Sequence, residues 1–89
     1  MLRESAIEGF VCRTAKEAGW LVFKFVSPSN SGVPDRIFIK DGRVVFIEFK
    51  APGKKPTKLQ ERIIGKIRNA GVEVYVCDNV EDARNALQV

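Results

Sequence analysis

The chain has no histidine among its 89 residues and only two cysteines, one methionine, one tryptophan and one tyrosine. Without imidazole, Ser-His-Asp and Cys-His catalysis and the histidine-containing zinc sites are excluded. An enzyme built on this chain must work with carboxylates, lysine, hydroxyls or a metal ion. Cys12 and Cys77 stand far apart, each inside an apolar segment, with neither metal-ligand spacing nor a CxxC pair, and both read as core thiols. No apolar run exceeds strand length and MLRESAIEG carries no apolar signal region, so the expectation is a soluble cytoplasmic protein with no membrane partner. Repeats, low-complexity tracts and interdomain linkers are also missing. Residues 1–89 are expected to form one domain, because neither half of so short a chain would bury enough surface to offset its conformational entropy. The same thin core makes pairing with a second copy a reasonable expectation.

Acidic residues are scarce in the first four-fifths of the chain. Residues 1–71 hold 14 basic and 7 acidic side chains, whereas residues 72–89 hold Arg84 against Glu73, Asp78, Glu81 and Asp82. A body of +7 beside a tail of −3 fits a polyanionic partner such as nucleic acid, since phosphate contacts supply sequence-independent affinity. Ordinary solubilising charge accounts for the same count.

Periodicity predicts an α/β fold. Ile7, Phe10, Val11, Ala15 and Ala18 recur at helical spacing from Ser5 to Ala18, with Gly19 as a stop. WLVFKFV (20–26) is rich in β-formers, SPSNSGVP (27–34) reads as a loop, and strands over 35–40 and 43–50 flank the Asp41-Gly42 turn. APGKKP is a connection. Thr57 opens a helix, with Gln60 completing a T-x-x-Q capping box and Gly71 closing it. VEVYVCD (72–78) is a fourth strand, and Asn79 caps a last helix to Leu87. The order αβββαβα ends in a βαβ unit, which requires parallel strands and a right-handed crossover. The rest is an antiparallel meander, giving a mixed four-stranded sheet flanked by helices.

The hairpin GVPDRIFIKDGRVVFIEFK carries the chemistry. With a two-residue turn at Asp41-Gly42, Lys40 pairs with Arg43 and Asp35 falls opposite Glu48, where facing Cβ atoms are roughly 4.5–5.5 Å apart and like charges destabilise. A divalent cation removes that conflict, because Mg²⁺ binds through one or two carboxylates and completes its shell with water and phosphate oxygens. Alternation puts Lys50 on the face of Glu48, roughly 7 Å along the strand. Two alternatives stand beside this. A three-residue loop with a Gly bulge would pair Asp35 with Ile47. A surface salt-bridge cluster would have Lys50 neutralise Glu48 while Asp35 caps a turn.

Pro34-Asp35, twelve intervening residues, then Glu48-Phe49-Lys50 resembles the PD-(D/E)xK signature of metal-dependent nucleases. More narrowly, GVPDRIFI followed by VVFIEFKAPGKKPTKLQ is similar to the virus-type replication-repair nuclease (VRR-NUC) domain over nearly the whole chain. The resemblance implies a restriction-endonuclease-like core in which Asp35, Glu48 and the backbone carbonyl of Phe49 bind Mg²⁺ or Mn²⁺. Lys50 would orient or activate the attacking water, or stabilise charge on the phosphate. It also implies a homodimeric endonuclease acting on branched DNA such as four-way junctions, in a bacterial or phage-infected cell, with no small-molecule organic cofactor.

A first-helix glutamate faces the metal in that family, and Glu8, with Glu4 as substitute, stands in place for it. Ser5-Ala-Ile-Glu8 is equally a capping box. Gln60 matches the family's glutamine after the lysine motif. It also interrupts an apolar arc of Leu59, Ile63, Ile64 and Ile67, where helix capping explains it as well. Lys54, Lys55 and Lys58 follow Lys50 without an intervening acid, and Lys58, Arg62 and Lys66 continue at i, i+4, i+8. This stripe reads either as a solvated helix face or, joined to the acid pair, as a track for a nucleic-acid backbone. Arg36 adds a further candidate phosphate contact. Phe10, Trp20, Phe23, Phe25, Phe38, Phe46, Phe49 and Tyr75 read as core, with Trp20 and Tyr75 least tied to it. The reading is a metal-dependent DNA endonuclease; its rivals are a non-catalytic nucleic-acid-binding module and a protein-interaction domain of the same fold.

Overall fold

The computed structural model describes residues 2–89. Its elements are α1 (Glu4–Glu17), β1 (Leu21–Lys24), β2 (Arg36–Lys40), β3 (Arg43–Phe49), α2 (Lys58–Asn69), β4 (Glu73–Cys77) and α3 (Val80–Leu87). The expected order holds, and the sheet runs β1-β2-β3-β4 with β1–β2 and β2–β3 antiparallel and β3–β4 parallel. Among the described residues, no helix is long and apolar enough to cross a membrane.

Strand alternation sorts the side chains between two faces. Phe38, Val45, Ile47, Phe49 and Cys77 point to one face and are buried beneath Ile7, Val11 and Ala15 of α1 and Ala83 and Leu87 of α3. The α1 residues recur every four positions, the spacing of a single helical stripe. Truncating Phe38 or Phe49 to Ala would cost about 3–5 kcal/mol, because each is a large side chain fully buried in the core. Cys12 and Cys77 are free, buried thiols, as expected. Burial pushes Cys77 up to about 12, which removes it from thiolate chemistry.

The opposite face is covered only in part, since α2 packs on β4. Leu21 and Phe23 on β1 are therefore 57% and 53% exposed, and Val44 on β3 is also exposed. This corrects the reading of Phe23 as core. Phe10 is likewise exposed, whereas Trp20 is buried with the Arg43 guanidinium 5.7 Å from its ring centroid. Leu59 departs from the expected apolar arc at 42% exposure, leaving Ile64 as the buried residue of α2.

Two local expectations fare differently. The Asp41-Gly42 turn forms with φ of 52° and 79°, the left-handed pair that a two-residue type I′ hairpin needs. Lys40 pairs with Arg43, which rules out the three-residue loop. The capping box at Ser5 does not form: α1 starts one residue earlier, its N-cap is Arg3, and no side chain caps it. Glu8 is thereby released from the backbone.

Candidate active site

The β2–β3 ladder ends at the Arg36–Ile47 pair, and Asp35, the next residue out, stands close enough to Glu48 for its charge to act on that carboxyl. Asp35 lies just outside β2. Its backbone carbonyl accepts from Phe25 N at 2.8 Å, and its carboxylate Oδ2 accepts from Phe49 N at 2.9 Å. The side chain thus takes over the ladder bond that the departing strand would have made. A strand residue directs its N–H and C=O to the same edge, so the Phe49 carbonyl also points to the Asp35 side, while Lys50 N bonds Cys77 O on the other edge.

Glu48 is only 3% exposed, and its carboxylate is unevenly satisfied. Oε2 forms an ion pair with Lys50 Nζ and accepts from Gln60 Nε2, each at 3.1 Å. Oε1 is buried with no partner, a state that normally costs about 1–3 kcal/mol or more for a charged group. Lys50 is itself mostly buried, so the cluster is not an exposed surface salt bridge. Burial raises the Glu48 carboxyl above the usual range and the Asp35 charge adds to this, with Lys50 opposing. Burial likewise raises Asp35, against the Phe49 N–H bond; the nearby Glu8 adds to the rise and Lys50 opposes it.

A divalent metal suits this arrangement. The ligand atoms are hard oxygens, as Mg²⁺ and Mn²⁺ prefer, and the unpartnered Oε1 lacks what a cation would supply. Among the described residues no group of three or more carboxylate or thiol side chains gathers around one point, so any ion here relies on two acids and backbone or solvent oxygens.

The remaining predicted residues divide between those at the acid pair and those spread around it. Gln60 does both of the things weighed for it: Oε1 accepts from Thr57 N at 2.9 Å in a complete capping box, and Nε2 reaches Glu48. Glu8 receives Arg36 Nε at 2.6 Å; that pair stands close enough for Glu8 to raise Asp35. Glu4 is exposed and acts on Glu48 only as a minor charge. Arg36 is thus engaged within the protein, whereas Lys54, Lys55, Lys58, Arg62 and Lys66 are exposed. The 27–34 loop leans on the start of α2: a Cβ added at Gly32, where φ is 86°, would meet Leu59 Cγ at 3.1 Å. Asp78 was missed by sequence reading. Its Oδ2 accepts from Gly53 N at 2.9 Å and ties down the loop that carries Lys54 and Lys55; the only sequence signal is its place just before the Asn79 cap. A cleft of about 540 Å³ next to this loop is lined by Lys54, Lys55, Arg68, Asp78 and Asp82, and contains neither acid of the pair. Its charges are mixed, so size does not make it the chemical centre.

A mixed αβββαβα sheet with an Asp, a Glu and a Lys converging at the open end of a hairpin has the form of the PD-(D/E)xK nuclease class. Comparison narrows this: the family model of the VRR-NUC domain matches residues 2–81, and the chain belongs to that family. It is 39% identical over 80 residues to "Putative nuclease p44" of Acyrthosiphon pisum secondary endosymbiont phage 1, covering 89% of this chain and 86% of that protein. A solved structure described as a VRR-NUC domain superposes with a TM-score of 0.88 at 23% identity, over 99% of this chain and 97% of the other, which supports the fold.

Proposed function

We propose that the protein is a metal-dependent endonuclease that hydrolyses phosphodiester bonds in DNA. The observation that carries the proposal is the buried, unpartnered Oε1 of Glu48 beside Asp35. Two raised carboxyls close together at the open end of a hairpin weaken the fold, and are accounted for by an ion that binds them. Asp35, Glu48 and the Phe49 carbonyl would hold Mg²⁺ or Mn²⁺. When bound, such an ion would lower the pKa of coordinated water and offset the charge of the scissile phosphate, which supplies a nucleophile at neutral pH to a chain that has no histidine.

The protein's residues supply position and charge. Lys50, the adjacent cation at the site, orients the attacking water or stabilises charge developing on the phosphate. Lys54, Lys55, Lys58, Arg62 and Lys66 hold the backbone beyond the site through contacts that read no sequence. Arg36 and Glu8 are joined to each other, and the Glu8 charge acts on Asp35. Glu8 is the first-helix acid assigned to the ion's surroundings, and Arg36 a phosphate contact once DNA competes for it.

A homodimer and a branched substrate complete the reading. The exposed Leu21, Phe23 and Val44 on one uncovered sheet face favour self-association, and two sites related by a two-fold axis suit paired incision of a four-way junction. The test incubates purified protein with Mg²⁺ or Mn²⁺ and labelled duplex, flap, single-stranded and four-way-junction DNA, with EDTA and Lys50→Ala as controls. Metal-dependent cuts that are strongest on the junction and lost in both controls are expected. Cleavage that survives EDTA, or a Lys50→Ala protein as active as wild type, contradicts the proposal.

A further inference from the structure

The capping box of α2 and the acid pair share one side chain, and its chemistry decides what it does. We infer that Gln60 is a positioning residue that grips Glu48 Oε2 and thereby leaves Oε1 as the oxygen free for a divalent cation. The inference rests on the reading of Asp35 and Glu48 as the ion-holding pair.

The argument starts at the helix end. Thr57 Oγ1 accepts from Gln60 N at 3.1 Å, and Thr57 N donates to Gln60 Oε1 at 2.9 Å. The second bond orients the amide, because only its oxygen can accept from an N–H, and the NH₂ group must then face away from Thr57. It faces Glu48 Oε2, at 3.1 Å. A capping box accepts glutamate or glutamine at this position equally well. Only the amide can accept from Thr57 and donate to a carboxylate at once; a glutamate here would set a third anion against Glu48. Capping alone therefore does not account for glutamine, whereas the double contact does.

The effect on Glu48 is specific. Lys50 Nζ and Gln60 Nε2 both bond Oε2, and neither reaches Oε1. Lysine brings a positive charge that competes with an incoming cation, whereas the amide fixes the rotamer without cancelling the anion. A partner that orients a metal ligand in this way typically contributes 10–100-fold to metal affinity. The start of α2 is in turn braced by the 27–34 loop through Gly32 and Leu59, so the grip is anchored at both the helix cap and the loop.

The experiment separates grip from cap by measuring two quantities, Mn²⁺ affinity by calorimetry and the thermal midpoint in EDTA, on the full-length protein. Gln60→Met keeps the side-chain length and the Thr57 Oγ1 cap but removes the donor to Glu48 together with the acceptor for Thr57 N; a fall of about 10–100-fold in Mn²⁺ affinity is expected, with a drop in midpoint no larger than that of Thr57→Ala. Thr57→Ala removes the hydroxyl cap but keeps the backbone N–H that orients the amide; a lower midpoint with Mn²⁺ affinity within about threefold of wild type is expected. Equal Mn²⁺ affinity in Gln60→Met and wild type overturns the inference, as does an affinity that merely follows the midpoint across both variants. Asp35→Asn tells the two readings apart. If it loses Mn²⁺ while Gln60→Met does not, only the grip is wrong; if wild type and Asp35→Asn bind alike or not at all, the ion-holding pair itself fails.

Discussion

The two ends of β3 each pair a carboxylate with a cation, and they are built to opposite purposes. At the turn end, Arg43 donates through Nε and Nη2 to both oxygens of Glu73 at 2.7 Å, with Tyr75 Oη adding a third bond at 2.7 Å and Ala86 O accepting from the same guanidinium. Each carboxylate oxygen is satisfied, the group is half-exposed, and Arg43 followed by Tyr75 holds the Glu73 carboxyl down at about 2. At the open end, Glu48 is buried, one oxygen is crowded and the other bare, and burial drives its carboxyl up. The same strand thus carries one ion pair that is complete and one that is incomplete. Incompleteness at a buried carboxylate beside a second carboxylate is the feature on which the proposed cation site rests.

Four outcomes would sharpen or break this contrast. The largest is in catalysis: Asp35→Asn and Glu48→Gln should each lower metal-dependent cleavage by about a thousandfold or more and Lys50→Ala by about 10²–10³, with gel-shift affinity for DNA largely kept. Glu73→Gln should leave the rate unchanged. A substantial fall in the rate at the turn end would dissolve the distinction.

The next outcome is in stability without metal. Asp35→Asn keeps an oxygen for Phe49 N but removes one of two facing anions, so its denaturation midpoint in EDTA should exceed that of wild type by on the order of 1 kcal/mol. For a domain of this size that is about 4–8 °C. A less stable Asp35→Asn protein would mean that the acids are not in conflict.

The pH dependence has opposite signs at the two ends. Asp35 and Glu48 have folded values above their unfolded ones, so between the ordinary carboxylate range and the raised values the folded state holds more protons, and stability falls as pH rises through that window. Glu73 is depressed from 4.5 to about 2, so its contribution is complete above 4.5 and is lost as pH falls towards about 2. In EDTA, denaturant midpoints measured from pH 4.5 upward should decline in wild type more than in Asp35→Asn, and saturating Mn²⁺ should cancel the decline. The smallest effect is Glu73→Gln on stability. A half-exposed pair is screened by solvent, so the cost should stay below about 1 kcal/mol and shrink with salt.

How much of this was legible in the sequence follows from how local each feature is. The Asp41-Gly42 turn fixes the hairpin register, and with it the Asp35–Glu48 juxtaposition, because two consecutive left-handed residues admit only a narrow set of turns. The Thr57–Gln60 box and the Asn79 cap are readable for the same reason: donor and acceptor are three residues apart. Long-range partners were not readable. The Glu8–Arg36 pair joins positions 28 residues apart, and it replaced a local capping box that looked equally good on paper. Alternation in β1 identified two faces but not which of them a helix would cover, so Phe23 was read as core although α2 packs chiefly on β4 and leaves β1 exposed. Gln60 was ambiguous between cap and site because its two ends serve one each, a sharing visible only when Glu48 is placed beside the helix start.

The most direct test of the central claim is the anomalous difference map of a crystal soaked in Mn²⁺. The account predicts a peak about 2.1 Å from Glu48 Oε1 and bound also by Asp35. A fully active enzyme whose soaked crystals carry no peak at that carboxylate pair, or bind Mn²⁺ only elsewhere, would contradict it.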